Sequence, residues 1–176
     1  IKSNKQTTNE IDKVSVADSK ELAGCNLRIT DGEGKEIISW TSGNRDSVKV
    51  SVTPEDGYQN LKYSFDENGN LHVGGLFHDK EYTLTETKPA DGYVTAEAIT
   101  YMLKQKVAED GTVTSVVNIK QKDGTYLEQE DDKTVMKDGQ THIQLLKLDI
   151  KTGQALGGAK FIVMDSKGNE VMEFVT

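Results

Sequence analysis

The end of this chain repeats its beginning. Residues 147–176 align without gaps on residues 13–42, at an offset of 134 (147 minus 13). Lys147 falls on Lys13, Leu156 on Leu22, Gly158 on Gly24, Asp165 on Asp31, Gly168 on Gly34 and Glu170 on Glu36. Apolar positions match in kind: Phe161 with Leu27, Val163 with Ile29, Val171 with Ile37 and Phe174 with Trp40. Carried backwards, the register sets Gln140-Thr141 on Gln6-Thr7 and Asp138 on Asn4. A fixed internal period is the mark of a tandem array. The expected domain map follows. Residues 1–9 are the last strand of a preceding repeat, 10–140 a complete domain, and 141–176 the first three strands of a following, truncated repeat. Three strands bury little surface, so the last segment is expected to be less stable than the complete domain. The sequence opens on Ile1 rather than Met and stops in mid-pattern at Thr176. It therefore reads as a fragment, in which missing targeting signals carry no weight.

Inside the repeat, short alternating runs stand between turn signals. Strands are expected at 11–16, 22–30, 36–41, 48–52, 61–65, 71–73, 81–87, 98–106, 112–120 and 134–138. They are separated by Asp31-Gly32, Asp56-Gly57, Asn68-Gly69, Asp91-Gly92 and Asp110-Gly111. No stretch has a convincing helical period. Many short strands at this spacing predict an all-β sandwich. The composition agrees, with 35% hydrophobic residues, 16 glycines and two prolines. A net charge of −8 disfavours nucleic acid and anionic membrane surfaces as partners. No apolar run approaches the roughly 20 residues of a membrane span. The single cysteine, Cys25, excludes an internal disulfide framework and reads as a small packing residue.

Three charged residues sit in the apolar phase of their strands. Tyr82, Leu84 and Glu86 share one face of an alternating run that ends at Pro89 and Asp91-Gly92. Lys13 is in phase with Ile11, and Asp138 with Met136. An ionised carboxylate on a core-facing row must be protonated, partnered or on the rim. Brought together in an apolar core, the lysine and both carboxyls are each pushed towards neutrality. A neutral amine is a nucleophile, and a protonated glutamate can shuttle a proton. Held in contact by packing, the amine can attack the Asp138 carboxyl, since well-placed groups reach effective molarities of roughly 10⁵ M or more. Loss of water leaves an amide between the side chains. At Asn4, serving a preceding repeat, the leaving group is ammonia. On residue types alone a plain buried ion pair is the commoner outcome. The repeat, together with the sequence motifs around Lys13, Glu86 and Asp138, reverses that preference.

Lys13-Val14, Glu21-Leu22-Ala23-Gly24, Tyr82-Thr83-Leu84-Thr85-Glu86 with Pro89-Ala90-Asp91-Gly92-Tyr93, and Val135-Met136-Lys137-Asp138 together resemble the collagen-adhesin B-type (Cna B-type, SpaA-like, prealbumin-like) domains of Gram-positive surface proteins and pilins. The resemblance covers the whole chain. It implies a seven-stranded prealbumin-like, reverse-immunoglobulin β-sandwich in a tandem array, carrying a self-formed intramolecular isopeptide bond. In its terms Lys13 is the amine, Glu86 the catalytic proton shuttle, Asp138 the acceptor and Lys147 the amine of the next repeat. Two stretches depart from the short family pattern. Residues 43–73 read as an inserted hairpin region, and 117–133 is longer than usual. The second departure makes Asn118 a rival acceptor. Asp138 is preferred because the repeat sets Asn4 at the same point before the next lysine strand.

Other signals are weaker. Asp66-Glu67-Asn68-Gly69-Asn70 has a trace of a calcium loop, but Phe77 stands where that motif places its distal glutamate, so a hairpin turn is expected. His72, His78 and His142 lack metal-ligand spacing. The acidic cluster at 128–132 reads as a solvated loop. No metal or cofactor is expected, and no turnover enzyme; amide formation happens once per molecule. The reading is an extracellular, cell-wall-anchored stalk or shaft module of an adhesin or pilus. Its partners are neighbouring repeats, with other pilus subunits or a host ligand as further candidates. The alternative is an adhesin module that binds its ligand through 43–73.

Overall fold

The computed structural model describes residues 7–176; Asn4 lies outside the described residues. A first compact unit runs through Thr141 and a second spans His142–Thr176.

The first unit contains β1 (Thr8–Ser15), β2 (Asn26–Asp31), β3 (Glu36–Thr41), β4 (Asn44–Val50), β5 (Lys62–Phe65), β6 (Leu71–Gly74), β7 (Glu81–Lys88), β8 (Ile99–Val107), β9 (Val113–Lys120), β10 (Tyr126–Glu128) and β11 (Lys133–Asp138). A 3-10 turn lies at Pro54–Asp56. The strands form two sheets, ordered β11-β1-β6-β5 and β10-β9-β8-β7-β2-β3-β4. Alternation explains how they pack. In β1 the residues Asn9, Ile11 and Lys13 are buried, while Glu10 and Asp12 are half-buried. In β7 the buried set is Tyr82, Leu84 and Glu86. In β11 it is Thr134, Met136 and Asp138. The core between the sheets joins Ile11, Leu71, Val73 and Met136 of the smaller sheet to Leu27, Ile29, Tyr82, Leu84, Tyr101, Leu103 and Val117 of the larger. Each large apolar side chain buried this way contributes roughly 1.5–3 kcal/mol.

β1 and β11 are parallel neighbours, with Lys13 opposite Met136 and Ser15 opposite Asp138. First and last strands of the domain thus share a ladder. The other side of β1 pairs antiparallel with β6.

The sandwich has more strands than the seven of the basic pattern, and the additions are structural. Residues 43–73, expected as an inserted hairpin region, supply β4 to the edge of the larger sheet and β5 and β6 to the smaller. Leu71 and Val73 of β6 are 1% exposed, and Val52 and Tyr58 also join the core. The polar stretch before β11 supplies β10, which pairs with β9. Two expected boundaries move. The strand expected from Leu22 starts at Asn26, because Gly24 adopts φ +90°, which side-chain-bearing residues disfavour. Thr8 and Asn9, expected to close a preceding repeat, open β1 instead and pair with Gly74 and Val73.

The second unit is a hairpin of β12 (Lys160–Met164) and β13 (Glu170–Val175). The first of its three expected strands is represented only by an isolated bridge between Leu148 and Ala155. Its backbone reproduces that of the first unit at the same offset. The Leu148–Ala155 bridge matches one between Val14 and Glu21. Leu156 N–H donates to Lys147 O at 2.8 Å, as Leu22 N–H donates to Lys13 O at 2.7 Å. The register shift at Val163/Met164 matches that at Ile29/Thr30. Gly158 takes φ +80°, as Gly24 takes +90°. Phe161 and Phe174 stack with centroids 5.3 Å apart, where Leu27 faces Trp40 in the first unit.

Candidate functional site

Lys13, Glu86 and Asp138 meet inside the first unit. β1 delivers Lys13, β7 delivers Glu86 and β11 delivers Asp138, each on its strand's inward row. Lys13 is 1% exposed, Glu86 4% and Asp138 0%. Lys13 Nζ contacts Asp138 Oδ1 directly, and it lies 3.0 Å from Glu86 Oε1. That second approach is off the hydrogen-bonding direction, so Oε1 has charge contact without a hydrogen bond. Glu86 Oε2 accepts the backbone N–H of Ala96 at 2.8 Å.

The surroundings shift the two carboxyls in opposite directions. Burial raises the pKa of Asp138 and contact with Glu86 adds to the rise, despite the opposing Lys13. Burial also acts against ionised Glu86. There the Ala96 N–H and the Lys13 contact outweigh it, and Glu86 is held below its ordinary value. Asp138 is thus shifted up and Glu86 down, and part of the contrast comes from Ala96, ten residues along in the loop after β7. Nothing in its residue type announces a donor. A neutral Asp138 carboxyl is an electrophile, and an ionised Glu86 beside Lys13 is a base. This trio can exchange protons and form a bond between Lys13 and Asp138.

Cys25 is a neighbour that sequence reasoning missed. Its Sγ lies 3.7 Å from Asp138 Oδ2. Its backbone N–H is held by Ser42 Oγ at 3.0 Å. Burial pushes the thiol up to about 11, so it stays protonated and can donate weakly to the carboxyl. Only its place just before β2 hinted at this, since the residue type is ordinary core filling. Cys25, Glu86 and Asp138 offer donor atoms within 4.8 Å of one another, but the Lys13 amine already contacts both carboxyls.

The remaining candidates are elsewhere. Asn118 is buried on β9, where its backbone lies opposite Met102 of β8 and Glu128 of β10. Its side-chain nitrogen has no hydrogen-bond partner. Lys147 is exposed in the second unit. Asp66 caps the turn after β5, accepting N–H groups from Asn68 at 2.9 Å and Asn70 at 3.0 Å.

A lysine and two carboxyls thus lie enclosed between the sheets of an all-β sandwich. The family model described as SpaA, prealbumin-like fold domain, matches residues 7–123. The chain belongs to that family. The match ends before β11, so it includes Lys13 and Glu86 but not Asp138. Among solved structures, the Bacillus anthracis TIE protein is 20% identical, with 97% of this chain and 25% of that one covered and a TM-score of 0.44. BcpA, the major pilin subunit of Bacillus cereus, is 21% identical over 76% of this chain and 29% of its own, with a TM-score of 0.39. The shaft pilin spaA from Lactobacillus rhamnosus GG is 14% identical over 80% of this chain and 48% of its own, with a TM-score of 0.44. The chain thus spans between a quarter and a half of the length of these relatives. A comparison with curated proteins returns no match.

Proposed function

We propose that the chain is a structural shaft or stalk module of a Gram-positive pilus or surface adhesin, locked by an amide that forms between Lys13 and Asp138. The observation that carries this reading is the enclosure of Lys13, Glu86 and Asp138 in mutual contact, with 4% exposure or less at each. Three ionisable groups dehydrated together are costly to keep charged. In the reaction, Glu86 takes a proton from the Lys13 ammonium. The freed amine adds to Cγ of the neutral Asp138 carboxyl. Glu86 passes its proton to the departing oxygen and takes one from the new C–N nitrogen. The C–N bond replaces one C–O bond, water leaves, and Glu86 ends protonated beside a neutral amide. No charge remains in the core, and no oxidant or cofactor is consumed. The event occurs once per molecule, so the chain is not a turnover enzyme.

The amide would close a loop between residues 125 apart in sequence. By analogy with a disulfide, closing a loop of about 100 residues is worth about 4–5 kcal/mol in the chain-entropy model. Tension arriving before β1 and leaving after β11 would then pass through Lys13 and Asp138, and the intervening chain would carry none of it. That suits a load-bearing module outside the cell, and a wall-anchored location follows from this reading. The matching backbones of the β2–β3 and β12–β13 hairpins support a tandem array, in which residues after 141 begin the next repeat and Lys147 is its amine. Neighbouring repeats and other pilus subunits are the proposed partners.

The alternative, ligand binding through 43–73, has less support, because much of that segment is core. Intact-mass measurement tests the main reading. The purified chain should be lighter than its sequence mass by one water, and Glu86→Ala should have the full mass. A full-mass wild-type chain would remove the bond and leave only the fold.

A further inference from the structure

Cys25 lies against the buried trio but has no part in its proton relay. It is 0% exposed and immediately precedes β2. The two oxygens of Asp138 have different neighbours. Oδ1 is in contact with the Lys13 amine, while Oδ2 lies 3.7 Å from Cys25 Sγ, with the thiol as donor. We propose that the Cys25 thiol is a catalytic hydrogen-bond donor, holding the Asp138 oxygen that stays behind as the amide oxygen while the other leaves in water. This role rests on amide formation between Lys13 and Asp138 as the reaction of the core.

The chemistry gives the two oxygens different fates. Glu86 Oε1 is 3.0 Å from Lys13 Nζ, and Nζ touches Oδ1, so a proton relayed from the nitrogen through Glu86 is delivered to Oδ1. When the amine adds to Cγ, the electron pair of the C=O double bond moves onto Oδ2. Oδ1, already carrying the carboxyl proton, takes a second from Glu86 and departs as water. The pair on Oδ2 then re-forms the double bond. A donor aimed at the oxygen where charge develops favours the transition state over the starting carboxyl. No bond to sulfur forms or breaks, and the thiol keeps its proton throughout, as its upward shift under burial requires. A thiol is a weak donor, so the acceleration is modest.

The donor is held through its backbone. Ser42 Oγ accepts the Cys25 N–H at 3.0 Å and donates to Leu22 O at 2.6 Å. Ser42 N–H donates to Cys25 O at 2.9 Å. The internal repeat separates this brace from the thiol. At the offset of 134 (159 minus 25), Ala159 stands in the place of Cys25 and Thr176 in that of Ser42. Thr176 Oγ1 accepts the Ala159 N–H at 3.1 Å and donates to Leu156 O at 2.9 Å, as Ser42 does in the first unit. The brace is therefore built equally well around a methyl group. The sulfur is not needed for it, and in the first unit the sulfur is the atom that reaches the acceptor carboxyl.

The test is a time course of water loss in the freshly synthesised full chain. Cell-free synthesis is stopped, samples are quenched in denaturing acid at intervals, and intact mass gives the cross-linked fraction. Cys25→Ala, which installs the residue found in the repeat, should lose water about fivefold more slowly than wild type, the effect of one ordinary hydrogen bond. Cys25→Ser, which restores a donor in the same space, should react faster than Cys25→Ala. Folding is followed separately by the fluorescence of Trp40, the only tryptophan, in the uncross-linked Glu86→Gln background. There Cys25→Ala should fold as fast as its parent. Cys25→Ala reacting at the wild-type rate, Cys25→Ser as slow as Cys25→Ala, or a slowing matched by equally slow folding would each overturn the donor and leave the amide standing. A wild-type chain that keeps its full mass would remove the amide, and the donor with it.

Discussion

The two faces of β1 carry charge in opposite ways. Facing inward, Lys13 is 1% exposed and meets two carboxyls that are equally dry. Facing outward, Glu10 and Asp12 are half-buried and meet Lys133, whose side chain is 42% exposed. Residue types and contact distances are alike. What differs is water. Outside, solvent screens the pairs, and such pairs are worth about 0–1 kcal/mol. Inside, removing one partner strands an unscreened charge, at a cost of about 3–5 kcal/mol. The proposed condensation of Lys13 with Asp138 relies on that dehydration. One strand thus carries a dry charged set on one face and a solvated one on the other.

The comparison is broken most severely by Asp138→Ala. This variant should have the full sequence mass and melt far below wild type, on the order of 15 °C or more, because the cross-link is lost and Lys13 loses its partner. Glu86→Gln should come next. It keeps shape and hydrogen-bonding capacity but not the base, so the chain should fold, keep its full mass and melt lower by roughly the cross-link's contribution alone. Scanning calorimetry with intact mass on the same sample checks both. Lys133→Ala, on the outer face, should change stability by no more than about 1 kcal/mol in denaturant titration. An effect as large as that of Asp138→Ala would erase the distinction between the faces.

The smallest expected effect is on pH dependence. Burial, reinforced by Glu10, pushes Asp12 up to about 6 from 3.8. Burial, then Asp12 and Asp66, push Glu21 up to about 7 from 4.5. Both native values exceed the unfolded ones, so between about pH 4 and 7 these two groups hold more protons in the folded chain than in the unfolded one. Their contribution to stability therefore falls as pH rises through that window and levels off above it. Glu21→Gln should flatten the upper part of the decline. A melting temperature that rises from pH 5 to pH 7 in the wild type would contradict those shifts.

Much of this was legible from phase. Lys13, Glu86 and Asp138 each stand where alternation demands an apolar residue, and that conflict is visible in one dimension. The repeat located Lys13 and Asp138 near the ends of one domain. Hidden from sequence were relations that depend on strand neighbours. Nothing in the residues announced that β6 would lie beside β1, so Leu71 and Val73 read as part of an insertion. The same blindness hid the neighbour of His72, since Glu10 is 62 positions away (72 minus 10) and directly across the ladder. The Ala96 N–H that bonds Glu86 is a backbone group, and no side-chain pattern encodes it. Gly24 was visible, but its positive φ was needed to show that it interrupts a strand rather than sitting within one.

The most direct test is tandem mass spectrometry on a digest of the purified chain. A branched peptide is expected in which the Lys13 side chain is joined to Asp138, with one water lost. A branch from Lys13 to Asn118 with ammonia lost, or separate unmodified peptides carrying Lys13 and Asp138, would contradict it.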